Sequence, residues 1–144
     1  MENNLNKFIE AQEKDYEVAL KEIKNGKKQS HWMWYIFPQI AGLGVSSTSK
    51  YYAIKNMEEA KDYFNHPILG ARLIEISNEF LKLDNNNAEV IFGSPDDKKL
   101  KSSMTLFSQI EDTNPVFKLV LDKFFNGNSD KKTIQILNHF RFST

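Results

Sequence analysis

The chain has 144 residues, of which 40% are hydrophobic and 12% aromatic, with eleven Phe among them. Such a composition belongs to a folded globular domain and excludes an intrinsically disordered chain. Lys plus Arg and Asp plus Glu both number 19, so the net charge is zero and a nucleic-acid partner is not expected.

The chain has no cysteine, which rules out disulfides, thiolate zinc sites and cysteine nucleophiles. No apolar run approaches the ~20 residues of a membrane span. The segment up to Lys28 shows neither the apolar core nor the cleavage signal of a leader peptide. A cytoplasmic location without a membrane partner is the expectation.

Leu5, Phe8 and Ile9, and later Ala19, Leu20 and Ile23, lie at helical spacing. They predict one amphipathic helix or two short ones in succession, ended at Gly26. Ser30 is then placed to cap a short helix through His31-Trp32-Met33-Trp34-Tyr35-Ile36-Phe37, stopped by Pro38. Gln39 to Ser49, with Gly42 and Gly44, reads as a loop, and Lys50 to Ile54 as the start of a helical turn.

Met57 to Phe64 predicts a helix with Ala60, Tyr63 and Phe64 inward. His66-Pro67 breaks it and begins another, whose stripe is Leu69, Leu73, Ile76, Phe80 and Leu81. Ala88 to Phe92 reads equally as a helical turn or a strand-like piece. Ser94-Pro95-Asp96-Asp97 is a helix start in composition, with Ser94 as cap and two carboxylates at the positive end of the dipole.

Leu100, Met104 and Phe107 follow on one face of that helix. Asn114-Pro115 opens the next, striped by Val116, Leu119, Val120 and Phe124 and closed by Asn126-Gly127-Asn128. Asp130 opens a last helix with Ile134, Leu137 and Phe140 inward. The expected fold is all-α: a compact multi-helical bundle of six to eight helices of mixed length, forming a single domain over residues 1–144.

Three segments carry candidate chemistry. The first holds both tryptophans of the chain, Trp32 and Trp34, beside His31 and shortly before Gln39. Its ordinary reading is a central core helix, since aromatics supply large buried area. Its functional reading is a pocket wall, where indole faces stack on a planar ligand, Gln39 supplies hydrogen bonds and His31 transfers a proton.

The second segment is the helix after Pro95. Ser102, Ser103 and Thr105 sit where hydroxyl residues are mediocre helix formers, so they bond back to carbonyls or face a polar pocket. Lys99 lies three and four residues from Ser102 and Ser103, which allows a lysine–hydroxyl surface, a Ser–Lys nucleophile pair or, most simply, a solvated face. In the third, Gly70 interrupts a helical pattern, which points to close packing or ligand approach. Arg72, one of two arginines with Arg141, offers a planar fork for phosphate or an internal salt bridge.

Phosphate-loop, dinucleotide, HExxH and EF-hand motifs are absent. No metal or other cofactor is expected from three histidines at 31, 66 and 139.

Several of these segments, Gly26-Lys27-Lys28-Gln29-Ser30-His31-Trp32-Met33-Trp34, Phe37-Pro38-Gln39, His66-Pro67-Ile68-Leu69-Gly70 and Ile91-Phe92-Gly93-Ser94-Pro95-Asp96-Asp97, together resemble a known signature. So do Ser102-Ser103-Met104-Thr105-Leu106-Phe107 and Phe124-Phe125-Asn126-Gly127. The chain is similar over nearly its whole length to the bacterial family catalogued as domain of unknown function 1810. The resemblance implies a multi-helical single domain and no established activity, cofactor or catalytic residue. The calpastatin label sometimes attached to that family does not fit, because calpastatins are disordered inhibitors.

Two functions follow as expectations. The first is binding of a small molecule or nucleotide derivative, ADP-ribose-like or nucleoside-like, with or without catalysis. It would use His31, Trp32, Trp34, Gln39, Arg72, Lys99, Ser102 and Ser103. The second is a non-catalytic protein-interaction module using Tyr51, Tyr52 and the glycine loop, its partner unknown.

Overall fold

A computed structural model describes residues 5–142, with side chains through His139. Among the described residues there are nine α-helices and no strand: α1 (Asn6–Lys24), α2 (Met33–Ile36), α3 (Ser47–Tyr51), α4 (Met57–Asn65), α5 (Leu69–Lys82), α6 (Ala88–Phe92), α7 (Asp96–Ser108), α8 (Val116–Phe125) and α9 (Lys131–Phe142). The all-α expectation holds, with more helices than the six to eight predicted, because α2, α3 and α6 are single turns.

The first stripe forms one helix rather than two. Its C-terminus closes as expected, with Gly26 N–H bonding the Ile23 carbonyl and Lys27 N–H the Glu22 carbonyl. Asn56, Asn114 and Asp130 cap or orient the chain at the starts of α4, α8 and α9, accepting from Glu59, Val116 and Thr133 backbone N–H groups. His66 does likewise before α5, its Nδ1 accepting from Ile68 and Leu69 N–H.

Two expected caps are corrected. Ser30 caps nothing: α2 starts only at Met33, and the Ser30 hydroxyl donates to Glu22 Oε2 at 2.6 Å instead. Ser94 is not the cap of α7 either. The helix begins one residue later, with Pro95 at its boundary, and Asp97 N–H is already bonded to the Gly93 carbonyl at 2.9 Å. Leu119 was expected in the α8 stripe but is 48% exposed, its place in the core taken by Phe117 and Leu121. Phe140, expected inward on α9, lies outside the residues whose side chains are described.

The two central helices are α5, packed on α1, α4 and α8, and α7, packed on α4, α6, α8 and α9. Their inward faces join one hydrophobic core. Within it Phe37, Phe80 and Phe92 pack ring to ring at 5.0–6.2 Å, and Trp32 meets Phe92 edge-on at 6.3 Å. Offset and edge contacts of this kind are the favoured arrangements of aromatic rings.

One further tie positions the surface. Ile40 and Ile54 form an isolated parallel bridge, in which Ala41 N–H bonds the Ile54 carbonyl and Ile54 N–H the Gln39 carbonyl, both at 2.8 Å. Both isoleucines are buried. The glycine loop is therefore fastened to the segment after α3 and to the core beneath it.

Candidate functional site

A cleft of about 350 Å³ opens where α2, the glycine loop, the end of α3 and the start of α7 meet the residues just before and within the first turn of α9. Its volume falls at the lower end of the range for small-molecule sites, roughly 300–1,000 Å³. Ile40, Ala41, Leu43 and Ala53 supply apolar wall, and Tyr52 and Trp34 supply aromatic surface. Gly42 stands at φ +104°, a backbone conformation that favours glycine, and a Cβ there would come within 3.3 Å of Ile136 on α9.

The charged groups are mostly cationic. Lys50, Lys98, Lys99 and Lys132 line the cleft with a single acid, Asp130. In a chain of zero net charge that local excess creates a positive potential, which a low-dielectric wall concentrates. Asp130 has a structural task as well: Oδ2 accepts from Thr133 N–H and Oγ1 at 3.0 and 2.6 Å, capping α9.

Lys99 occupies a defined position. Its Nζ lies 3.9 Å from the centre of the Trp34 ring and 3.2 Å from Asp96 Oδ1. Asp96 Oδ2 in turn pairs with Lys28 Nζ at 2.9 Å. A cation over an indole face is an attractive arrangement of about 0.5–2 kcal/mol.

Tyr52 completes the aromatic side. Burial first, then the neighbouring Tyr51 and Asp15, push its phenol up from the ordinary value. It is accordingly a neutral hydroxyl near pH 7.

Of the residues singled out from sequence, Trp34, Gln39, Lys99 and Ser102 come together in this cleft. Ser102 also bonds back, its Oγ donating to the Lys98 carbonyl at 3.1 Å. The other four are elsewhere. Trp32 is 1% exposed, its Nε1 donating to Glu22 Oε1 at 2.9 Å. Ser103 is fully buried and its Oγ has no hydrogen-bond partner among the described residues.

Arg72 faces α1, where Nη1 contacts Gln12 Oε1 at 3.5 Å and Nη2 approaches Glu13 at 3.9 Å, with its guanidinium over the Tyr16 ring. That is the internal pairing rather than the phosphate fork. His31 is exposed and does not line the cleft, and its carbonyl accepts from the Tyr35 hydroxyl at 3.2 Å. No carboxylate orients its ring among the described residues.

Sequence reasoning missed Lys98, Asp130 and Lys132 as cleft residues. Asp130 and Lys132 lie more than 25 positions after Ser102 and carry no local signal, since only the packing of α9 on α7 brings them there. Lys50 and Tyr52 stood beside the glycine loop, which was the available clue. A more open depression lined by Lys101, Asn128, Ser129 and Lys131 shares Asp130 and Lys132 with the cleft, so the two adjoin.

No group of His, Asp and Glu capable of holding a metal ion occurs among the described residues. No described helix is long and apolar enough to cross a membrane.

A family model described as Protein of unknown function (DUF1810) matches residues 2–137. The crystal structure of the conserved hypothetical protein Rv1873 from Mycobacterium tuberculosis is similar to this one with a TM-score of 0.91. The two sequences are 41% identical over 93% of this chain and 96% of that chain. No curated protein matches the sequence significantly.

Proposed function

As the chain belongs to the DUF1810 family of proteins of unknown function, we propose its function from the cleft itself: it binds a small planar ligand of the nucleotide-derivative class. The observation that carries this reading is Trp34 in the wall of a concave site that also holds four lysines and one acid. An indole offers a stacking surface to a heteroaromatic ring, and lysines offer charge-assisted hydrogen bonds to phosphate. Gln39 and Asp130 would read the ligand's amide-like or hydroxyl groups. Among the described residues no serine hydroxyl of the cleft is bonded to a base, since Ser49 and Ser102 donate to the Ser46 and Lys98 carbonyls, so the reading is of binding, without an assigned reaction.

The test is a thermal-shift screen against AMP, ADP, NAD and ADP-ribose, run on the wild type and on Trp34→Ala. A ligand at a hundred times its dissociation constant adds about 2.7 kcal/mol, a shift of a few degrees or more. The reading expects at least one nucleotide to raise the wild-type Tm and to lose that effect in Trp34→Ala. Flat responses across the panel in both proteins would dismiss it.

A second reading, a protein-docking surface, draws on Val45 in the glycine loop and Tyr51 at the end of α3, 90% and 56% exposed. It predicts that Tyr51→Ala, rather than Trp34→Ala, abolishes a stoichiometric complex.

A further inference from the structure

We infer that Lys99 is a resident occupant of the Trp34 face and that a ligand-borne anion is the condition for displacing it, so the cleft selects phosphorylated over uncharged planar molecules. This rests on the reading of the cleft as a site for a planar ligand.

The chain of contacts is specific. Lys28 is the fixed end: its side chain is 6% exposed, its Nζ pairs with Asp96 Oδ2 at 2.9 Å, and it also donates to the Ser30 carbonyl. Asp96 is the middle, with one oxygen on Lys28 and the other on Lys99. Lys99 is the movable end, 23% exposed, held by Asp96 Oδ1 at 3.2 Å and by the indole at 3.9 Å. No other hydrogen-bond partner holds its ammonium among the described residues.

A ring that stacks on the face Lys99 covers must first move that ammonium aside. An uncharged ring gives the ammonium nothing in exchange for the carboxylate and the indole. A phosphate attached to the ring replaces both with a charge-assisted bond, and Lys50, Lys98 and Lys132 line the same cleft to share its charge. The displacement leaves no orphan, because Asp96 keeps its pairing with Lys28. That asymmetry, a permanently paired carboxylate beside a releasable lysine, is what turns a cation–π contact into a discriminator.

The experiment is calorimetric titration of the wild type, Lys99→Met and Lys99→Gln with two pairs of probes, AMP against adenosine and GMP against guanosine. Both substitutions replace a partly exposed side chain, and circular dichroism before titration verifies the fold. The expected result is a wild type that prefers at least one monophosphate over its nucleoside by tenfold or more. In the variants the monophosphate weakens while the nucleoside tightens several-fold, so the preference collapses.

Equal wild-type affinity for each monophosphate and its nucleoside would overturn the inference and leave the cleft reading standing. So would a variant that weakens the monophosphate without tightening the nucleoside, since Lys99 would then be a simple anion contact. Absence of binding by all four probes to all three proteins would overturn the inference, and the cleft reading falls with it only if the thermal-shift panel is flat as well.

Discussion

The Trp32 indole donates its N–H to Glu22 Oε1 at 2.9 Å, tying the aromatic segment to the helix ten residues before it. The same carboxylate accepts from Gln29 N–H, Ser30 N–H and the Ser30 hydroxyl. Burial by itself pushes the Glu22 carboxyl up, but the hydrogen bonds from the Ser30 side chain, the Gln29 and Ser30 backbone and Trp32 outweigh it. The carboxyl is held at about 2, below its ordinary 4.5.

A depressed folded value stabilises the protein fully above the unfolded value, and the contribution disappears as pH falls from about 4.5 through about 2. Glu22→Gln is predicted to destabilise by roughly 1–3 kcal/mol at neutral pH, since it leaves buried donors short of an acceptor. The difference between variant and wild type should shrink as the pH is lowered through that window. Urea unfolding at a series of pH values measures it, and a pH-independent difference would contradict the account.

Gly70 stands against the backbone of the preceding helix. A Cβ at this position would lie 1.9 Å from the Phe64 carbonyl oxygen and 2.8 Å from its carbon. Alanine is the better helix former by about 1 kcal/mol, yet a backbone obstacle cannot rotate aside. Gly70→Ala is therefore predicted to lower stability by about 1–3 kcal/mol, the usual range for overpacking, and to lower Tm by several degrees. An unchanged or raised Tm would show that α4 and α5 separate freely.

Lys123 closes the C-terminus of α5 from the neighbouring α8. Its ammonium donates to the carbonyls of Phe80 at 3.0 Å, Leu81 at 3.2 Å and Leu83. Carbonyls of this kind lack i+4 donors at a helix end, although Phe80 also accepts from Leu83 N–H, and a cation there meets the negative end of the dipole. Lys123→Met keeps the apolar stem and removes the donors, for a predicted loss of about 1–2 kcal/mol. Hydrogen exchange should quicken first in the last turn of α5; quickening confined to α8 would refute this.

The helices were legible where local chemistry decided them. Asn114, Asp130 and the stripe of α5 act within a few residues of themselves, and their periodicity and capping sufficed. Ser30 and Ser94 misled because a capping hydroxyl is recognised by type, while its partner is chosen by tertiary structure. For Ser30 that partner is Glu22, on α1.

The candidate site divides in the same way. Trp34, Gln39, Lys99 and Ser102 stood out by residue type in two segments, and the structure brings them to one cleft. Trp32 and Ser103 looked equivalent in sequence but turn into the core: Trp32 stands just before α2 with its indole N–H on Glu22, and Ser103 lies on the buried side of α7. Asp130 and Lys132 were invisible as site residues, since only the docking of α9 gives them that position.

The two indoles provide the most direct measurement of the central claim. Trp32 and Trp34 give two side-chain N–H resonances, one bonded to Glu22 in the core and one at the cleft. In titrations of 15N-labelled protein with AMP, ADP, NAD and ADP-ribose in turn, the account predicts that at least one shifts the Trp34 resonance with saturation while that of Trp32 holds nearly still. Two unmoved resonances, or movement of Trp32 alone, would contradict a ligand site at this cleft.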